Sequence, residues 1–255
     1  MNKTWAIILY TIKQHIRNRI YLAVLLFGLV MIGGSLVISS LAVDERVRVL
    51  LNLGLAGIEF IAMLSIVFVT VNLILEEIES KSIYLILSHP IERWQYVFGR
   101  YIGTLGSIIV GMIFMALLHL GSLFLHGWSW QNFYALALLC SVGKVAVISS
   151  LALLISLITT STASSMTLTS FFWVMGHFSS ELKFLGEKSA STMMQAIINI
   201  FYHITPDFSI YNYRDFYKAA LLPGPGWFPW LLFYTVFYVG TTLYLSSWLF
   251  SKREY

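Results

Sequence analysis

The chain is 255 residues long, 58% hydrophobic and only 11% charged, with a formal net charge of +4. Soluble domains carry roughly 25% charged residues, so this composition cannot cover a water-facing surface and excludes an ordinary soluble domain. The excess of Lys and Arg is read as cations gathered at one membrane face rather than as a nucleic-acid footprint, and the single cysteine, Cys140, excludes an intrachain disulfide.

In chain order, Trp5, Ile8, Ile12 and Ile16 recur at helical spacing, with Lys13 and Arg17 on the other side. That pattern predicts an interfacial helix over 1–19, lying in the headgroup plane with its cations toward anionic lipid; the plainer alternative is the exposed first turns of the first span. The basic lead is too long and too amphipathic for a signal peptide, so the apolar run 20–43 is read as a retained span. Its Gly28, Gly33 and Gly34 permit close helix approach. After the charged turn Asp44-Glu45-Arg46-Val47-Arg48, further spans are predicted at 50–75, 101–125, 133–158, 166–178 and 227–250. The run 166–178 gives roughly 20 Å of helix against a hydrocarbon core of ~30 Å. Residues 179–226 form an external loop region with a short re-entrant or interfacial helix near 192–204, ended by Pro206.

The predicted fold is therefore all-α: one polytopic domain over 1–255 with six transmembrane helices and both termini on one side. Placing the termini inside puts nine Lys or Arg in the cytoplasm and six outside, four of the latter in the one long external stretch. The bias in short loops makes both termini cytoplasmic.

Between the second and third spans lies a polar island, Glu76 to Trp94, dense in charge in a chain that has little. No phosphate-binding loop of the G-x-x-x-x-G-K-[ST] type occurs, and no His, Cys, Asp or Glu set has metal-site spacing. A membrane enzyme would need a buried nucleophile–base or metal constellation that the spacing does not offer. A secondary transporter or channel would be expected to carry repeats or acidic midplane sites, and only one feature points that way. Glu59 stands nine residues into the second predicted span and Lys144 eleven into the fourth, at roughly 13–17 Å from the outer ends. A charge at mid-bilayer costs about 2.5–3.5 kcal/mol on insertion scales, which predicts an ion pair or hydrogen-bonded contact between the two, either structural or on a substrate path. His119 is read as a satisfied interfacial histidine.

The island and both chain ends together resemble the permease subunit of ABC-2 type ABC transporters. The matching residues are Glu79, Leu85, Leu87, Pro90, Ile91, Arg93, Tyr96, Gly99 and Arg100, with Ile16-Arg17-Asn18-Arg19 near the start and Phe250-Ser251-Lys252-Arg253-Glu254 at the end. Tyr202-His203-Ile204-Thr205-Pro206-Asp207-Phe208 is similar to a turn of the copper-enzyme-maturation and gliding-motility branches, and Lys81-Ser82 stands where that family commonly has Gly-Thr. The resemblance implies a permease, not an enzyme, of a bacterial or archaeal plasma membrane, in contact with lipid and not with nucleic acid. It implies two copies joined to two cytoplasmic ABC ATPase subunits, with no cofactor in this chain and with ATP and Mg on the partner. It also implies that residues 76–100 hold a cytoplasmic coupling helix, with Glu76, Glu79, Ser82, Tyr84, Leu87, Pro90 and Arg93 as coupling residues and Arg93 pairing with an acid on the partner or with Glu79. Export is the implied direction.

Overall fold

The computed structural model describes residues 3–41, 45–81, 91–188, 192–213, 224 and 226–252. Among them the elements are helices and turns. They comprise α1 (Lys3–Arg17), α2 (Arg19–Leu41), α3 (Arg46–Ser65), a π turn (Ile66–Thr70), α4 (Val71–Glu79), α5 (Arg93–Leu125), α6 (Asn132–Ile158), α7 (Thr162–His177), α8 (Ser179–Lys188), α9 (Thr192–Ile204), a 3-10 turn (Ser209–Tyr211) and α10 (Trp227–Lys252). The π turn, where the Val71 amide bonds back to the Ile66 carbonyl, joins α3 and α4 into one continuous helix from Arg46 to Glu79.

Among the described residues five helices are long and apolar enough to cross a membrane: Tyr21–Leu41, Arg46–Glu79, Arg93–Leu125, Asn132–Ile158 and Trp227–Lys252. The predicted span at 166–178 corresponds to α7, which has 16 residues and extends about 24 Å at helical rise, so it falls short of the length that marks the other five. Helices also reach further into the polar island than the sequence indicated, because α4 runs to Glu79 and α5 starts at Arg93. A capping box at the head of α5, in which the Glu92 amide donates to the Gln95 side chain, sets that start.

The helix through α3 and α4, with 78% of its most apolar window buried, and α6, with 72%, make the centre; α2 at 22% and α10 at 11% are peripheral. Leu50, Leu55, Ile58, Ile61 and Ile66 pack with Met112 and Met115 of α5 and with Val147 and Ala152 of α6. Outward faces of the peripheral helices stay apolar, as at Val37 on α2 and Phe237 on α10, which suits a solvent of lipid.

One helix makes a contact that its sequence pattern did not announce. α1 lies along α5, and its buried face is Ile7, Ile8, Thr11 and His15. Of the face expected to be apolar and shared, Ile8 is buried, whereas Trp5 and Ile16 are about half exposed, at 52% and 49%. The cause is a run of small residues on α5. A Cβ at Gly99 would stand 2.8 Å from Ile7, and one at Gly103 would stand 2.5 Å from Thr11 and 2.9 Å from the Ile8 carbonyl. Without side chains at these two positions the backbones approach closely enough for β-branched residues to seat. Further along, the Tyr21 hydroxyl of α2 donates to the Ser107 carbonyl at 2.7 Å.

Candidate functional site

Two buried polar centres occupy the bundle. In the first, α3 contributes Glu59 and α6 contributes Lys144, with the Lys144 ammonium 2.8 Å from Glu59 Oε1. The same ammonium donates to Asn212 Oδ1 at 2.7 Å and faces His177 Nε2 at 3.2 Å. An ammonium carries three donors, and these three acceptors use all of them. Glu59 Oε2 accepts from the Ser141 hydroxyl at 3.0 Å. The tautomer of His177 follows from its other nitrogen: Nδ1 is 2.8 Å from the Trp173 carbonyl, which can only accept, so Nδ1 carries the proton and Nε2 offers a lone pair to Lys144. Nε2 also lies 3.2 Å from Glu59 Oε1, a hydrogen bond only if the ring gains a second proton.

Local sequence explains how distant residues arrive there. His177 ends α7, and the Phe208 amide donates to the Gly176 carbonyl at 2.9 Å, which ties the segment after α9 to the end of α7. Asp207 accepts from the Ser209 amide and hydroxyl, opening the turn Ser209–Tyr211 that carries Asn212 to Lys144. Tyr211 is buried against Gly143, where a Cβ would stand 2.5 Å from its ring. His119, by contrast, is a separate, buried group: its ring lies 3.2 Å from both the Leu50 carbonyl and the Tyr134 hydroxyl, with Gly54 vacating the space for it.

The second centre lies where α4, α5, α1 and α10 meet. Arg100 pairs with Glu77 at 2.6 Å, both nearly fully buried, and the Tyr96 hydroxyl donates to Glu77 Oε2 at 2.8 Å. Arg100 also donates across to α1, at 3.2 Å to Thr11 and 2.7 Å to Gln14. His15 of α1 donates from Nδ1 to the Thr11 carbonyl, and its Nε2 lies 3.4 Å from Thr70 in the π turn. Burial lowers its pKa to about 4, with the nearby Arg100 adding to the shift and the Thr11 hydrogen bond opposing it. From the other side Arg93 donates to the carbonyls of Phe250 and Ser251 at 2.7 and 2.9 Å, with its guanidinium over the Phe250 ring.

Of the coupling residues expected from sequence, Glu76 and Glu79 are exposed on α4 and Arg93 is tied to the end of α10. Ser82, Tyr84, Leu87 and Pro90 lie outside the described residues. Lys81 has φ 56°, the left-handed conformation that glycine adopts most readily, so this lysine takes the backbone shape for which the resembling family commonly has Gly. The sequence reading missed Glu77, His177 and Asn212. Glu77 had a signal: it follows Leu73 and Ile74 at helical spacing on the buried side, whereas Glu76 and Glu79 point away. Among the described residues no group of three His, Cys, Asp or Glu could hold a metal ion.

A family model described as ABC-2 family transporter protein matches residues 12–254. A search of curated proteins returned no match.

Proposed function

The chain belongs to the ABC-2 transporter family, and on that premise we propose that this multi-pass permease is the membrane half of an ATP-driven exporter, worked by separate cytoplasmic ATPase subunits. The observation that carries the reading is the double anchoring of the connection between α4 and α5. At its near side Glu77 is locked through Arg100 to α5 and α1; at its far side Arg93 is hydrogen-bonded to the end of α10. A force delivered to either end of this connection therefore acts on four helices together. In this reading α7 makes a short sixth crossing, both termini are cytoplasmic, two copies assemble with two ATPases, and ATP and Mg belong to the partner. Tyr202–Phe208 favours the copper-enzyme-maturation and gliding-motility branches.

Purified alone, the chain is expected to show no ATP turnover. Photo-crosslinkers placed between residues 76 and 93 in native membranes are expected to capture an ATP-hydrolysing protein. In inside-out vesicles the assembly is expected to move cargo inward on ATP addition, and R93A is expected to depress that movement while the ATPase stays bound. Turnover by the chain alone, or transport in the absence of any ATPase, would overturn the proposal.

A further inference from the structure

A cavity of about 570 Å³ lies between α1 and α4, lined by Tyr10, Lys13, Gln14, Arg17, Glu76 and Glu77 among others, within the roughly 300–1,000 Å³ of small-molecule pockets. Its two walls are opposite in charge. On α1, Lys13 and Arg17 stand four residues apart on one helical face, an arrangement in which two like charges repel. On α4, Glu76 faces the same space. Glu77 and Gln14 are spoken for by Arg100, whereas Lys13, Arg17 and Glu76 have no ion-pair partner among the described residues. The cavity thus offers two cations and, across from them, one carboxylate, none of them in an ion pair among the described residues.

Its position in the fold limits what can reach it. The first membrane-crossing helix begins at Tyr21, just past Asn18 in the cavity wall, and the helix of the opposite wall ends at Glu79. The cavity therefore sits where two spans leave the bilayer, at headgroup level. Trp5, Leu9, Tyr10 and Ile16 expose apolar or amphipathic surface on the same α1, as interfacial helices do. We propose that the cavity between α1 and α4 binds the headgroup of a zwitterionic aminophospholipid, its phosphate on Lys13 and Arg17 and its primary ammonium on Glu76. A phosphate relieves the repulsion between the two cations, and the ammonium gives Glu76 an ion pair that it does not make among the described residues. An anionic headgroup without an amine satisfies only the first wall.

The test is lipid rebinding to delipidated protein in neutral detergent, read by native mass spectrometry. The probes are phosphatidylethanolamine, phosphatidylglycerol and water-soluble glycerophosphoethanolamine. Wild type is expected to prefer phosphatidylethanolamine over phosphatidylglycerol by about tenfold, the scale of one charge-assisted contact. K13Q/R17Q is expected to weaken both lipids by about tenfold or more, E76Q to erase the preference without loss of phosphatidylglycerol, and E76D to keep it. Absence of a preference in wild type, or a preference that survives E76Q, overturns the proposal. So does glycerophosphoethanolamine binding as tightly as the lipid, which would assign the cavity to a soluble phosphoethanolamine. If E76Q instead releases a bound ATPase with lipid selectivity intact, the cavity belongs to a protein interface and the lipid assignment fails.

Discussion

Replacing Glu59 by Gln keeps the shape of the side chain and removes one charge from a pair in which the carboxylate side chain is 6% exposed and the ammonium side chain 2%. Lys144 retains the Asn212 oxygen and the His177 lone pair, and the new amide oxygen can replace one carboxylate contact. The loss is then the countercharge alone, and breaking a buried pair costs about 3–5 kcal/mol, with E59Q at the lower end. K144M strands the carboxylate with Ser141 and His177 and falls toward the upper end. In E59Q/K144M no charge remains uncompensated, and replacing a whole buried pair is often close to neutral. The double variant should therefore lie well above the sum of the singles, with a coupling of about 3 kcal/mol by double-mutant cycle. The measurement is reversible unfolding in mixed micelles of neutral and denaturing detergent. If either single costs under about 1 kcal/mol, or if the double loses the sum of both, the pair does not hold the bundle together as the geometry indicates.

Three further outcomes follow from the second centre and its neighbours. G103A drives a methyl into Thr11 and the Ile8 carbonyl and should cost about 1–3 kcal/mol as overpacking, seen as faster tryptic cleavage at Lys13 and Arg17. His15 is neutral when docked because burial lowers its pKa to about 4, whereas an undocked histidine titrates near 6.5. The undocked state therefore binds more protons between these values, so docking of α1 is at full strength above about 6.5, weakens as pH falls toward 4, and loses up to about 3 kcal/mol in all. Hydrogen exchange of α1 at pH 7 and pH 5 reads this, and H15Q should flatten the difference. K81G places glycine at the φ of 56° and should stabilise the end of α4 by up to about 1 kcal/mol, measured by the same micelle unfolding.

The long apolar runs made the helical membrane architecture readable, and an isolated Glu59 and Lys144 inside such runs stood out because charge there is rare. The run 166–178 was harder to read as a crossing, since α7 is short and its neighbours 179–188 are polar, leaving length and hydropathy in conflict. Docking of α1 escaped notice because its pattern was read for lipid. The partner's side of the contact, small residues at Gly99, Gly103, Ser107 and Gly111, was the available signal. Glu77 was hidden by its acidic neighbours, and only its phase relative to Leu73 and Ile74 separates it from them. Asn212 and His177 reach Lys144 from 68 and 33 residues away, through a turn whose path no local periodicity encodes.

The π turn at Ile66–Thr70 sets the azimuth of two acids on one rod. Glu59 and Glu77 are 18 positions apart (77 − 59), which is five full turns at 3.6 residues per turn; on an unbroken α-helix they would point the same way. One added residue in a π turn offsets the lower half by about 100°, so Glu59 looks toward α6 and Glu77 toward α5. A single deletion within 66–70 that turned the π turn into regular α-helix would leave the two acids 17 positions apart (18 − 1), still about 100° out of phase, so both ion pairs would keep their walls. Regularising the turn with no deletion would bring both carboxylates into phase and leave one of the two cations facing the wrong wall.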